Sequence, residues 1–225
     1  MTRKGSEVRV LYGPPAESAG QTARSAAGVR GRATRRWRPW LHSPPAYADR
    51  TPIRTLGHGS LAAADFARVA LGAGIEVIVD VRRYPGSRRH PHFGPSMPEW
   101  LAEAGLAYRW LPALGGRRRP AATSPNTGLR NEQFRGYADH MASAEFARGL
   151  TELRDLAAER AVGSVAVMCA ETVPWRCHGS LLADYLTLIE RETVEHLFHD
   201  GRLTSHVPTP GARLTLTGEL VYSSP

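Results

Sequence analysis

Cysteine is scarce in this chain, with two in 225 residues, too few for a disulfide framework. No apolar run approaches the roughly 20 residues needed to cross a bilayer. The opening residues, Met1 to Glu7, lack the apolar segment of a secretory signal. Together these absences lead us to expect a soluble, cytoplasmic protein without membrane contact. There is no G-x-G-x-x-G and no Walker loop, so a dinucleotide enzyme or nucleotide-driven motor has no motif behind it. No C-x-x-C or H-x-x-x-H spacing occurs and no internal repeat is found. Neither a cofactor nor a metal is expected.

What the chain has is arginine, unevenly spread. The formal net charge is +8. Residues 1–50 hold ten basic and three acidic side chains, so a net +7 lies in the first fifth. That segment is rich in Gly, Ala, Ser, Pro and Arg with little apolar periodicity, and reads as a disordered tail. Arg32, Arg35, Arg36 and Arg38, with Trp37 and Trp40 interleaved, would suit nucleic acid. The alternative, a dispensable leader, is favoured because disorder alone predicts no partner. Residues 51–225 read as a single α/β domain, itself polarised: residues 82–135 carry a net +7 and residues 136–225 a net −5. Clustered guanidinium groups suit phosphate or carboxylate, which they grip with paired donors. The expected partner is accordingly an anionic small molecule or nucleic acid. The competing reading is that these arginines pair with acids on the helices that follow.

Hydrophobic patterning gives the architecture. Short apolar runs at Ile53–Leu56, Val77–Val81, Tyr108–Leu111, Val165–Met168 and Val194–Phe198 read as strands. Between them, helical spacing marks Leu61–Leu71 with Ser60 as its cap, then Pro98–Ala104. It recurs in segments through Phe134–Met141 and Phe146–Leu156, and in a helix that begins near Leu181. Leu214, Leu216, Leu220 and Val221 suggest a terminal hairpin. Strands alternating with helices predict a three-layer α/β fold with a mainly parallel sheet, interrupted by long irregular Arg-rich loops at 82–93 and 112–130. In such sheets ligands sit at the carboxyl ends of the strands.

Chemistry-bearing residues fall at those ends. His58 follows the first strand, Asp80 and Arg82 the second, and Cys169 and Glu171 the strand at 165–168. The turn after that strand also holds Arg176, Cys177 and His178, just before a helix. Cys177 between two cationic residues at a helix start is a candidate nucleophile, because such surroundings lower a thiol pKa. A small buried plug is the alternative. Cys169, ending an apolar strand, reads as buried and inert. Glu171 and Asp80 are candidates for acid/base work, with salt bridges to Arg176 and to Arg82 or Arg83 as the structural alternative. Tyr84, Tyr137, Trp110 and Trp175 would offer a stacking surface for a nucleobase, although such aromatics are more often core, Trp110 on its strand in particular. Cys169, Cys177, His178 and His58 would make four soft metal ligands, but they would have to converge from two loops, and metal is set aside.

Several stretches resemble one family. They are Gly57-His58-Gly59-Ser60, Asp80-Val81-Arg82, Leu114-Gly115-Gly116-Arg117, Asn126-Thr127-Gly128-Leu129-Arg130, Phe134-Arg135-Gly136-Tyr137, Met168-Cys169-Ala170-Glu171 and Arg176-Cys177-His178. In this order they are similar to the domain of unknown function 488 family, over about three quarters of the chain. That family usually has arginine where Gly179 stands here, so a second arginine is missing from the turn. The resemblance implies a fold neighbourhood and leaves the reaction open. The expected function is an enzyme acting on an anionic, nucleotide-like or nucleic-acid-related substrate. Arg82, Arg117, Arg130 and Arg176, with Asn126 and His178, would bind it. Glu171, Asp80, Cys177 and His58 would carry the chemistry. Sulfurtransferase-like chemistry at Cys177, and a non-catalytic module binding nucleic acid or protein, stand as the alternatives.

Overall fold

Val77, Ile78, Val79 and Asp80 are all buried, and so are Val165, Ala166, Val167 and Met168. Runs with no exposed face form strands only where helices cover both sides of a sheet. That is the arrangement in the computed structural model, which describes residues 52–159 and 165–223. The tail expected at 1–50 lies outside the described residues.

Six strands make one sheet: β1 (Ile53–Gly57), β2 (Val77–Asp80), β3 (Ala107–Trp110), β4 (Val165–Cys169), β5 (Val194–Leu197) and β6 (Leu203–Ser205). Their spatial order is β3-β2-β4-β1-β5-β6, parallel except for β6. A separate antiparallel pair, β7 (Ala212–Leu214) and β8 (Leu220–Tyr222), is the expected terminal hairpin. The short antiparallel edge β6 has no counterpart in the strands expected from the sequence.

Alternate residues of each strand feed opposite layers. Ile53, Val77, Val79, Val165, Val167 and Val194 pack with α3 (Glu132–His140), α4 (Ala144–Ala158) and α5 (Gly179–Leu188). Leu56, Ile78, Ala166, Met168 and Leu197 pack with α1 (Ala63–Gly72) and α2 (Met97–Glu103). Phe66 and Leu101 anchor the second layer; Tyr137, Phe146 and Leu181 anchor the first. Both anchoring sets are fully buried, and each such side chain contributes about 1.5–3 kcal/mol by leaving water.

Helix starts follow the side chains available. Asn131 caps α3, its side chain accepting from the backbone N–H of Gln133 at 2.8 Å. Ser143 caps α4 through Phe146 N–H at 3.1 Å. Ser60 does not cap α1. The chain first makes a tight turn, with Gly59 at φ +52° and Leu61 N–H bonded to His58 C=O, so the helix begins at Ala63. Trp110 is 47 % exposed rather than core, because β3 is an edge strand of the sheet. Among the described residues no helix is long and apolar enough to cross a membrane.

The topology prepares a crevice. The chain leaves β1 and β2 toward the α1/α2 layer but leaves β4 toward α5 on the opposite layer. Since β4 lies between β2 and β1, the segment after β4 diverges from both neighbours. Such a reversal opens space at the carboxyl edge of the sheet.

Candidate functional site

Backbone bonds hold the exit of β4 from both sides. His58 N–H bonds Cys169 C=O at 2.9 Å, Gly59 N–H bonds Ala170 C=O at 2.9 Å, and Val81 N–H bonds Met168 C=O at 3.1 Å. The approach is close enough to require glycine at position 57. A Cβ there would fall 1.7 Å from the Glu171 carbonyl oxygen.

Two polar groups lie on this edge, and they differ in kind. The first is closed. Asp80 is fully buried and takes a paired grip from Arg82, with Nε at 2.9 Å and Nη2 at 2.6 Å. It also accepts from Arg82 N–H and from the Tyr108 hydroxyl, each at 2.9 Å. Arg82 spends its remaining donors on Phe93 C=O at 2.9 Å, on His58 Nε2 at 3.2 Å and on Met97 Sδ at 3.6 Å. His58 stacks on Phe93 with ring centroids 4.0 Å apart. Its Nε2 faces an arginine donor, so the proton sits on Nδ1 and is donated to Gly59 C=O at 2.9 Å. Burial, and then the Arg82 charge, lower the His58 pKa to about 4. Burial, and then Asp80, raise the Tyr108 hydroxyl above its ordinary range. This cluster ties the ends of β1, β2 and β3 to α2.

The second group is open. Cys169, Cys177 and His178 converge from the end of β4 and the start of α5, with His178 Nδ1 3.6 Å from Cys169 Sγ and 3.7 Å from Cys177 Sγ. Both cysteines are free thiols. Gly179 N–H donates to Cys177 Sγ at 3.3 Å. Hydrogen bonding from Cys177 draws the Cys169 thiol well below its ordinary pKa against the effect of burial, with help from His178 and the Ala170 N–H. The same bond, with burial, pushes Cys177 up. Proximity thus favours the thiolate on Cys169, the residue that reads from sequence as inert, rather than on Cys177.

These three residues border a cleft of about 170 Å³, with Glu171, Arg83, Tyr84, Arg117, Phe134 and Arg176 among its walls. Glu171 and Arg176 are both exposed, and among the described residues they form no ion pair. The bridge that stood as the structural alternative for them is absent because the turn carries Glu171 beyond the buried strand, where water solvates it. Arg117 is exposed too, and holds a left-handed backbone at φ +58°. Arg83 lies over the Tyr84 ring at 5.4 Å. Arg118, by contrast, is spent on Glu145 in a paired bridge at 2.8 and 3.0 Å.

The remaining sequence candidates lie apart. Asn126 is buried, donating to Asp139 at 2.8 Å and accepting from Tyr222 N–H at 3.0 Å, so it fastens β8 to α3. Arg130 is exposed and is not among the cleft walls. Tyr137 is fully buried, its ring 4.8 Å from His178, so it supports the imidazole rather than a ligand. Trp175 is exposed on a neighbouring groove. Tyr84, one of the aromatics read from sequence as a stacking surface, lines the cleft, and Arg83 and Phe134 join it without having been singled out for it. A buried chain of bonds from Thr55 through His196 and His206 to Asp184, at 2.7, 2.9 and 2.8 Å, was also missed. It fastens β1, β5 and α5 together.

Fold and cleft define a three-layer α/β protein with a pocket at a topological switch point. The family described as "Domain of unknown function DUF488" matches residues 63–186, more than half of the chain, and the chain belongs to that family. The matched segment runs from the start of α1 into α5, so it covers a smaller part of the chain than the three quarters expected and leaves out Gly57-His58-Gly59-Ser60. Comparison with curated proteins and with solved structures returned no match.

Proposed function

We propose that this protein is an enzyme acting on an anionic, nucleotide-like or nucleic-acid-related substrate held in the cleft at the end of β4. One observation carries the reading. Arg83, Arg117 and Arg176 line a single cleft with no carboxylate partner among the described residues, beside two thiols, an imidazole and Glu171. Unpaired guanidinium groups around a concavity favour phosphate, and Tyr84, 59 % exposed, offers a ring face for a base. Glu171, solvated and adjacent, is placed to move a proton to or from bound substrate. Asp80, His58 and Arg82 support the edge of the sheet instead, since their polar atoms are already engaged.

The test is thermal unfolding of the full chain with inorganic phosphate, nucleotides and short oligonucleotides. A true ligand at a hundredfold excess over its dissociation constant stabilises by about 2.7 kcal/mol. The stabilisation should vanish in Arg117→Ala and Arg176→Ala and persist in Arg130→Ala. No response to any of these anions would overturn the reading.

A second reading, sulfurtransferase-like chemistry, is supported by the convergence of two free thiols and an imidazole on the cleft, with His178 Nδ1 3.6 and 3.7 Å from the two sulfurs. It requires Cys169 to alkylate faster than free cysteine at about pH 6. A binding module without catalysis would instead show steeply salt-dependent nucleic-acid binding and no product.

A further inference from the structure

His178 has an unusual set of neighbours. Among the described residues its Nε2 is buried with no hydrogen-bond partner, and its Nδ1 meets only the two sulfurs. Thiols are weak donors, so S–H bonds alone hold the ring loosely. Yet the ring is closely fitted, with Tyr137 against it and Gly116 packed so near that a Cβ there would fall 2.8 Å from Nδ1.

We infer that Cys169, Cys177 and His178 form a site for one soft divalent cation of the zinc class, with the fourth coordination position open to the cleft. The separations carry the argument. A tetrahedral ion at the usual metal–sulfur and metal–nitrogen lengths sets its S···N edges at about 3.6 Å. The two S···N distances are 3.6 and 3.7 Å, and all three ligand atoms lie within 4.8 Å of one another. Two thiolates and an imidazole are the donors such an ion selects. The Cys177 sulfur already accepts a backbone N–H from Gly179, a kind of outer contact that steadies a metal-bound thiolate. His58, the fourth ligand conceivable from sequence, is engaged by Arg82 and Gly59 and does not join.

Three protein ligands leave one position free, the pattern of catalytic rather than structural sites. All three border the arginine-lined cleft, so the free position is available to water or to a substrate oxygen, with Glu171 on the same wall. Binding of the ion displaces the protons still carried by the two thiols. The inference stands on the three side chains and does not depend on the anion reading.

The experiment uses the full chain, purified under reducing conditions and analysed for zinc, then stripped with chelator and titrated with cobalt. Stoichiometric zinc is expected, together with a sulfur-to-cobalt charge-transfer band in the near ultraviolet. Cys169→Ser, Cys177→Ser and His178→Ala should each weaken zinc binding roughly tenfold or more. His178→Cys, which restores a soft donor, should keep the charge-transfer band, guarding against a mere folding defect. Arg117→Ala should lose the response to phosphate and keep zinc, so failure of one proposal is distinguishable from failure of the other. A folded, reduced chain that retains no zinc and gives no charge-transfer band overturns the inference. So does zinc held equally by wild type and all three ligand variants.

Discussion

Two carboxylates sit at neighbouring strand ends, and only one is free. Asp80 accepts four hydrogen bonds from Arg82 and Tyr108 and has no exposed surface, while Glu171 is exposed and without an ion-pair partner among the described residues. The cysteine–histidine group beside Glu171 opens on a cleft; the aspartate–arginine–histidine group is sealed by Phe93, Met97 and Tyr108. The first arrangement leaves polar capacity for a ligand. The second has used all of its capacity on the fold.

Removing Asp80 sharpens this contrast most. Asp80→Ala strands the buried Arg82 charge, and losing one partner of a buried pair typically costs about 3–5 kcal/mol. Glu171→Ala removes an exposed group and should change stability by less than about 0.5 kcal/mol. Chemical denaturation of both variants measures the gap. Equal losses would mean that the two carboxylates have the same structural role.

Acid attacks the same comparison through His58. Its native pKa of about 4 lies below the ordinary 6.5, so the unfolded chain binds the proton first as pH falls. The stabilising contribution is therefore complete above about pH 6.5 and is lost as pH drops toward 4. For one such group the loss is of order 3 kcal/mol. His196 is lowered to about 4 by burial and then by His206, and acts in the same direction. In His58→Gln the dependence of stability on pH across this window should be visibly shallower. An unchanged slope would show that His58 is not held neutral.

The layers were legible in the sequence because burial on both faces leaves uninterrupted apolar runs such as Val165–Met168, and because a 3.6-residue period marks each covering helix. Edges were less so. β6 is three residues long, with two of them exposed, and so has no apolar signature. The site was legible by position: five residues, His58, Asp80, Arg82, Cys169 and Glu171, were expected at one edge of the sheet, and they lie at or just past the ends of β1, β2 and β4. Their division of labour was not, because it depends on rotation about the strand end. Arg82 pairs with Asp80 while Arg83 lines the cleft, and nothing in a linear pattern says which of two adjacent arginines is consumed. The Cys169 partnership was hidden for a related reason. Its apolar strand suggests burial, whereas its contact with Cys177 and His178 depends on how the intervening turn folds back.

Arg117 offers the smallest change in stability and the finest separation of the two regions. It adopts φ +58°, a conformation uncommon for a residue with a Cβ, and its side chain is exposed on the cleft wall. A residue held in this region costs the fold of order 1 kcal/mol or more, and such strain concentrates at functional sites. Glycine accepts the same backbone without that penalty, at the expense of greater freedom in the unfolded chain. The two effects oppose each other, so Arg117→Gly should leave stability within about 1 kcal/mol of wild type. Its response to phosphate should be lost, because the guanidinium is gone from the cleft. Loss of stability comparable to that of Asp80→Ala would instead assign Arg117 to the sealed framework and leave the cleft with one fewer free cation than its geometry offers.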